Sequence, residues 1–449
     1  MARPAALDAR EELGQLARLA GPVVLARLGI MGMGLTDAIV VGRYSAEQLG
    51  FHALGWAPTA VVVTMVVGLL SGIQVMTARA IGEGRPHEAG AVLRRGLVYA
   101  LWIGLAATAI LGLGGPPFLH AIGLSRELAD GASRPLLIFA LSTTPYALSV
   151  AAALWLEGLS KPGPAAWAMW VANAVNLALD LIFVPGALGL PALGAVGGGL
   201  ATLGARTALA VFTLAYIARM PQARALGVFA KPARDAAAEA EQRRIGFGAG
   251  MSNLFEVAAF NSLNVIAGWI GALEVAGWAI VLNVAAVVFM CPLGLASAAA
   301  VRVGRAYGAR DPAGVRLAAA VAFGVTAAFG LLVSLAIWPL AGPIVALYTR
   351  DPATLAIAGP ALGLACLMFV PDALQVVVAQ ALRARGDVWL PTGTHLMSYI
   401  VLMAPLAWWL AIPKGLGVNG LVLAVIAASL VSCGLLVARF AQVARRDDG

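Results

Sequence analysis

The chain has 449 residues, 61% of them hydrophobic and only 12% charged, with a formal net charge of +8. A soluble domain carries about 25% charged residues, so this chain cannot cover a water-exposed surface, and it is too apolar to be disordered. An ordinary cytosolic enzyme is excluded, and so is a nucleic-acid binder, because the basic residues fall in loops between apolar runs and form no single stripe with aromatics.

The first 18 residues mix Arg3, Asp8, Arg10, Glu11, Glu12 and Arg18. They lack the charge, short apolar core and cleavage layout of a signal peptide, so the first span is expected to stay in the mature protein. A membrane helix needs about 20 apolar residues. About twelve such spans are predicted, at 19–42, 53–79, 94–118, 133–157, 163–184 and 194–218, then 247–272, 275–304, 317–348, 354–382, 390–412 and 417–441. The expectation is an all-α polytopic membrane protein of two six-helix lobes, 19–218 and 245–441. A cytoplasmic segment 1–18, an exposed cytoplasmic connector 219–244 and a cytoplasmic tail 442–449 complete it.

Orientation follows from Lys and Arg. With both termini inside, the tails and inner loops hold 23 of them, Arg3, Arg234 and Arg383 included, and the outer loops hold 5. That bias places both termini in the cytoplasm.

The halves repeat at an offset of 226 residues. Gly68-Leu69 recurs as Gly294-Leu295, Arg79-Ala80-x-Gly82 as Arg305-Ala306-x-Gly308, and Pro145 as Pro371. Six spans per copy make the copies parallel, so a pseudo-two-fold axis normal to the bilayer and a central cavity are expected. Pro145 and Pro371 are expected to be paired bends.

Four acids stand inside apolar spans: Asp37, Asp180, Glu256 and Asp372. A carboxylate there must pair, protonate, bind a cation or line a wet cavity. Asn173, Asn176 and Asp180 share one helix face. Their oxygens suit Na⁺ or a proton equally, and helix-to-helix hydrogen bonding is the structural alternative. Glu256 and Asp372 come from different spans and call for a shared proton or cation. Glu157 and Glu274 sit near span ends and are expected to be wetted, and His395 to be a satisfied polar residue. Arg27 and Arg206 either neutralise an acid or snorkel to the interface.

Other chemistry is absent from the sequence. Cys291, Cys366 and Cys433 have no metal or redox spacing. The Gly-rich stretch 186–199 contains no phosphate-loop lysine, and no H-E-x-x-H occurs. No cofactor and no catalytic residues are expected, and a transporter without an ATP motif runs on an ion gradient.

The motifs then resemble a known family. Gly21-Pro22 followed by Gly34-Leu35-Thr36-Asp37 and Gly42-Arg43, then Trp155-Leu156-Glu157-Gly158, Asn173-x-x-Asn176-x-x-x-Asp180 and Ala201-Thr202, are similar to multidrug and toxic compound extrusion (MATE) transporters. Phe255-Glu256, Pro371-Asp372-Ala373-Leu374-Gln375 and Gly386-Asp387 resemble the NorM branch. The resemblance implies a two-lobed efflux antiporter exchanging Na⁺ or H⁺ for amphipathic, often cationic drugs. Under it, Asp37, Asn176, Asp180 and Thr202 match an N-lobe cation site, and Glu256 and Asp372 a C-lobe site. Met368 stands where some NorM proteins have tyrosine, leaving that second site one oxygen poorer.

Adaptable Met and aromatic walls suit varied flat ligands. Trp56, Met65, Trp155, Met169, Phe255, Phe260 and Met290, with Asn173, are the candidates for the substrate cavity. The expected partners are small-molecule drugs, organic cations and the lipid bilayer, for a monomer in the cytoplasmic (inner) membrane. The alternative, a lipid-linked saccharide flippase, needs several cations for a pyrophosphate, and only Arg27 and Arg206 are available. A membrane-embedded enzyme would need a nucleophile with its base or a metal triad, and neither is present.

Overall fold

A computed structural model describes residues 8–231 and 235–446. Arg3 and Arg234, counted in the charge bias, lie outside the described residues, as do the first residues of the amino-terminal segment and the last of the tail. Among the described residues there is no strand. The chain forms two compact units: an N-unit, Leu25–Gly250, and a C-unit, which joins the stretch ending at Val24 to the residues from Met251 onward.

The N-unit is built on α1 (Ala9–Tyr44) beyond Val24, α2 (Ala46–Leu70), α3 (Gly72–Gly82), α4 (Ala89–Ala121), α5 (Arg126–Gly158), α6 (Gly163–Phe183), α7 (Ala195–Arg219) and the first part of α8 (Ala236–Ile270). The Ser45 hydroxyl caps α2 by accepting from the Gln48 amide, and Ser125 caps α5 in the same way from Leu128. Each satisfies one of the amides that a helix start leaves unpaired. The core of this unit includes Leu70, Ile73, Trp155, Leu156 and Ile217.

The C-unit holds the rest of α8, then α9 (Ala272–Gly308), α10 (Pro312–Ile337), α11 (Ala341–Tyr348), α12 (Pro352–Ala365), α13 (Phe369–Ala384), α14 (Trp389–His395), α15 (Ala404–Ala411) and α16 (Gly417–Arg446). A π-helical stretch, Leu396–Met403, joins α14 to α15. Asp351 caps α12, accepting from the Thr354 amide at 2.9 Å and its hydroxyl at 2.7 Å. These donors favour the ionised form and hold the Asp351 carboxyl below its usual range. The opening of α1 is fastened within this unit by Glu12, which accepts from Arg302 Nε at 2.7 Å and from its terminal nitrogen at 2.5 Å.

Ten helical stretches among the described residues are long and apolar enough to cross a membrane, and α12 with α13 makes an eleventh. The remaining helix, α8, is long enough but carries Asn253, Glu256, Asn261 and Asn264, which dilute its apolar run. Twelve passes were expected, and among the described residues α8 is the one long helix at an expected span that falls short of that apolarity. The outward faces are apolar, with Trp102, Leu113, Leu332 and Trp338 all exposed. Such a surface belongs in lipid.

Two expectations change. The segment 219–244 is not a freely exposed connector, since Met220, Ala223, Leu226 and Gln242 are buried. The opening of α8 lies so close to α2 and α3 that a Cβ at Gly72 would fall 2.0 Å from Gln242 O, and one at Gly246 would fall 1.9 Å from Leu69 O. The two repeat-related prolines also differ in setting. The chain bends by 50° between α12 and α13, just ahead of Pro371, whereas α5 runs unbroken through Pro145.

Candidate functional site

In the N-unit, α1, α6 and α7 bring Asp37, Asn176, Asp180 and Thr202 together. Glycines permit the approach: a Cβ on Gly29 of α1 would lie 2.6 Å from Met169 of α6, and one on Gly198 of α7 would lie 3.0 Å from Val41 of α1. The Thr202 hydroxyl donates to Asp37 Oδ2 at 2.7 Å. Asp180 faces Asp37. No other side chain donates to Asp37 Oδ1 or to either Asp180 oxygen, and the Asn176 side-chain amide is likewise without a partner. Asn176 and Asp180 are fully buried. Buried polar atoms without partners are costly, so this cluster is built to receive a donor or a cation.

Asn173, the third polar residue on that face, is half-buried and returns its amide N–H to Met169 O at 2.9 Å. It stands one turn before Asn176 without joining the cluster's orphaned atoms.

Two residues beside Asp37 were not assigned by sequence reasoning. Arg206 is buried, donates to Ser142 Oγ at 2.8 Å and lies over the rings of Tyr146 (4.6 Å) and Trp56 (5.2 Å). It is within electrostatic reach of Asp37, so it is an internal counter-charge and does not snorkel. Its position one turn after Thr202 was the available signal. His52 is also buried and near Asp37, edge-on to Phe139 at 5.1 Å. No spacing in the sequence pointed to it.

In the C-unit, Asp372 stands in the first turn of α13, directly after the bend. Its Oδ1 accepts from Ser429 Oγ of α16 at 3.1 Å and from the Tyr399 hydroxyl of the π-helical stretch at 3.5 Å. Tyr399 thus supplies a phenol oxygen that Met368 does not. Glu256 of α8 is half-buried and within electrostatic reach of Asp372 and of Arg383. Arg383 was counted with the inner-loop cations, but it is buried and donates to Ser252 Oγ at 2.6 Å. Under the 226-residue offset it is the counterpart of Glu157. Glu157 was expected to be wetted and is instead buried, accepting from Gln74 Nε2 at 2.7 Å. His395 packs edge-on against Tyr399 at 5.7 Å, and neither ring nitrogen finds a protein partner, contrary to expectation.

Of the proposed substrate-cavity residues, Trp56, Asn173, Phe255, Phe260 and Met290 are half-buried. Trp155 is not on a cavity wall. It is 0% exposed, and its indole N–H donates to Ala89 O at 2.8 Å, which makes it a core side chain. Met169 is also buried, against Met33, Ala172 and Leu209.

The MatE family model matches the chain twice, over residues 22–182 and 249–409. The two matches are the internal repeat seen at family level. A protein of Caulobacter vibrioides called probable multidrug resistance protein NorM is 61% identical over 97% of this chain and 93% of its own. One of the same name from Bradyrhizobium diazoefficiens is 32% identical over 97% of this chain and 94% of its own. A solved structure described as the outward-facing conformation of a multidrug resistance MATE family transporter of the MOP superfamily superposes with a TM-score of 0.90. It covers 100% of both chains at 19% identity, a likeness of fold.

Proposed function

The chain belongs to the MatE family as a NorM-like multi-pass membrane protein, and from that premise we propose that it is a secondary active multidrug efflux antiporter. It exports amphipathic, often cationic small molecules by alternating access, in exchange for Na⁺ or H⁺. Both termini lie on the cytoplasmic side of the inner membrane. The relatives named as multidrug resistance proteins support the substrate class.

The observation that carries the coupling is the buried pair Asp37 and Asp180. Two facing buried carboxylates, with three oxygens that no other side chain donates to and with Arg206 as the one fixed cation described beside them, call for a cation or a shared proton. Asn176 Oδ1 adds a neutral oxygen of the kind Na⁺ accepts, and Thr202 orients Asp37. Glu256 and Asp372 are a second candidate pair, with Ser429 and Tyr399 holding Asp372 in place. Trp56, Asn173, Phe255, Phe260 and Met290 are the proposed substrate-facing side chains. The flippase reading needs accessible cations on the transport path, and Arg206 is enclosed by Trp56, Tyr146 and Ser142.

The test is ethidium uptake into inside-out vesicles, with Na⁺ and pH gradients imposed one at a time. One of the two gradients should drive accumulation in the parent and none in Asp37→Asn. Accumulation that ignored both gradients would remove the antiport reading.

A further inference from the structure

Away from both acidic clusters, the N-unit carries a cavity of about 600 Å³ between α4 and the opening of α8. That is a size usual for small-molecule sites, roughly 300–1,000 Å³. Three arginines face it: Arg94 and Arg95 from α4 and Arg243 from α8. Glu239 is the one acid lining it, 4.0 Å from Arg243 one turn away, so the lining is positive overall.

The arginines are not equivalent. Arg94 is committed to the chain, since it donates to the carbonyls of Gly227 and Val228. Arg95 is not: its Nε is buried and has no partner among the protein atoms. Beside it, the buried Gln242 Oε1 is also without a partner. Arg243 is exposed and free to turn from Glu239 toward the cavity. These groups come from two helices in direct contact, since the Gln242 amide of α8 donates to Val92 O of α4 at 3.4 Å and a Cβ on Gly96 of α4 would lie 3.3 Å from Gln242 Nε2.

The other wall is apolar. Val98 and Trp102 follow Arg94 and Arg95 on the same face of α4, and both are exposed, Trp102 by 67%. From Arg94 to Trp102 is about 12 Å of helix. Beyond them Leu105, Leu113 and Phe118 continue the exposed apolar surface of this span. A cationic end, a tryptophan at mid-height and an apolar run above match a phospholipid from phosphate to acyl chain. Basic pockets between membrane helices hold anionic head groups in this way, and tryptophan settles at the interface.

We propose that the cavity between α4 and α8 is a binding site for one anionic phospholipid, its phosphate held by Arg95 and Arg243 and its chain laid along Val98 and Trp102. The site stands independently of the transport reading. It would tie the opening of α8 to α4 through a shared lipid, in addition to their direct packing.

The test is native mass spectrometry of the full chain in detergent, titrated separately with phosphatidylglycerol, cardiolipin, phosphatidylcholine and inorganic phosphate. The parent should retain one anionic lipid in preference to phosphatidylcholine, and millimolar phosphate should not displace it. Arg95→Gln/Arg243→Gln should weaken that binding roughly thirtyfold, from about fivefold per arginine. Arg95→Lys/Arg243→Lys should restore most of it, which separates loss of charge from loss of fold. Arg85→Gln/Arg445→Gln removes the same charge elsewhere and should bind like the parent. Trp102→Ala should weaken the lipid while leaving any phosphate binding unchanged. Equal retention of phosphatidylcholine, equal loss in the Arg85/Arg445 control, or full displacement by inorganic phosphate would each overturn the proposal.

Discussion

Thr202 of α7 holds Asp37 of α1 by a 2.7 Å hydrogen bond to Oδ2, leaving Oδ1 without a donor beside the buried acid of α6. The bond separates orientation from charge, so the two can be tested apart. Asp37→Asn keeps an acceptor for Thr202 and removes the ionisable group. The expected outcome is a well-folded protein at parental membrane levels whose gradient-driven ethidium efflux falls at least tenfold. Thr202→Val keeps the shape and removes the donor. It should cost about 1–3 kcal/mol in thermal unfolding, the penalty for orphaning a buried acceptor, with a smaller loss of efflux. If Asp37→Asn pumped like the parent, Asp37 would be structural.

Asp372 presents the same question with different partners. Ser429 is the nearer donor at 3.1 Å and Tyr399 the more distant at 3.5 Å. Ser429→Ala should therefore impair efflux more than Tyr399→Phe, and Asp372→Asn more than either. Matched-expression efflux assays on the three variants give the ranking. A larger effect from Tyr399→Phe would mean that the phenol acts on something other than Asp372.

Trp155 is the clearest reversal of a sequence expectation. An aromatic in an apolar span reads equally as cavity wall or core, and only packing decides. With no exposed surface and its indole bonded to Ala89 O, Trp155→Ala should cost about 3–5 kcal/mol of stability. Trp56→Ala, at a half-buried site, should cost less. Thermal unfolding in detergent compares them, and equal costs would contradict the burial assignment.

The spans, the repeat and the acidic residues were legible because each leaves a mark along the chain: a long apolar run, a fixed offset, a charge where none is affordable. The partners of those acids were not legible. Tyr399 and Ser429 reach Asp372 from helices far along the sequence, and nothing in their own spans distinguishes them. Arg383 looked like a loop cation because it lies near a span end, yet the helix carries it inward to Ser252 and Glu256. His52 and Gln242 were hidden for the same reason, since burial arises from packing between helices. The chain breaks and bends just before Pro371 but stays helical through Pro145, so a proline marks where a helix is permitted to break and its neighbours decide whether it does.

Gly246 gives a test of the packing that hides the start of α8. A Cβ there would lie 1.9 Å from Leu69 O, and backbone on both sides leaves no flexible atom to yield. Gly246→Ala should destabilise the N-unit by about 1–3 kcal/mol or more and lower the yield of monodisperse protein. Gly324→Ala, at a helical position with nothing within 4 Å, should be neutral. Similar yields for both would show that α8 is not packed against α2 as described.

Arg206 carries the last prediction, because it is a fixed positive charge beside the acid proposed to receive the coupling cation. Its guanidinium is held by Ser142 and by the faces of Tyr146 and Trp56, a geometry that suits a planar cation better than an ammonium. A positive charge near Asp37 competes with any arriving Na⁺ or proton. Removing it should therefore let the site fill at a lower cation concentration. At an effective dielectric near 20, a nearby unit charge is worth about 1–2 kcal/mol, or roughly a tenfold shift in half-saturation. Arg206→Gln should move the cation dependence of ethidium uptake by about that factor toward lower cation. Arg206→Lys keeps the charge and should move it little, while both variants lose stability from the vacated stacking site. The measurement is uptake into inside-out vesicles across a series of Na⁺ concentrations and pH values, with thermal unfolding to grade the stability loss. An unchanged half-saturation in a folded Arg206→Gln protein would place the coupling cation away from Asp37.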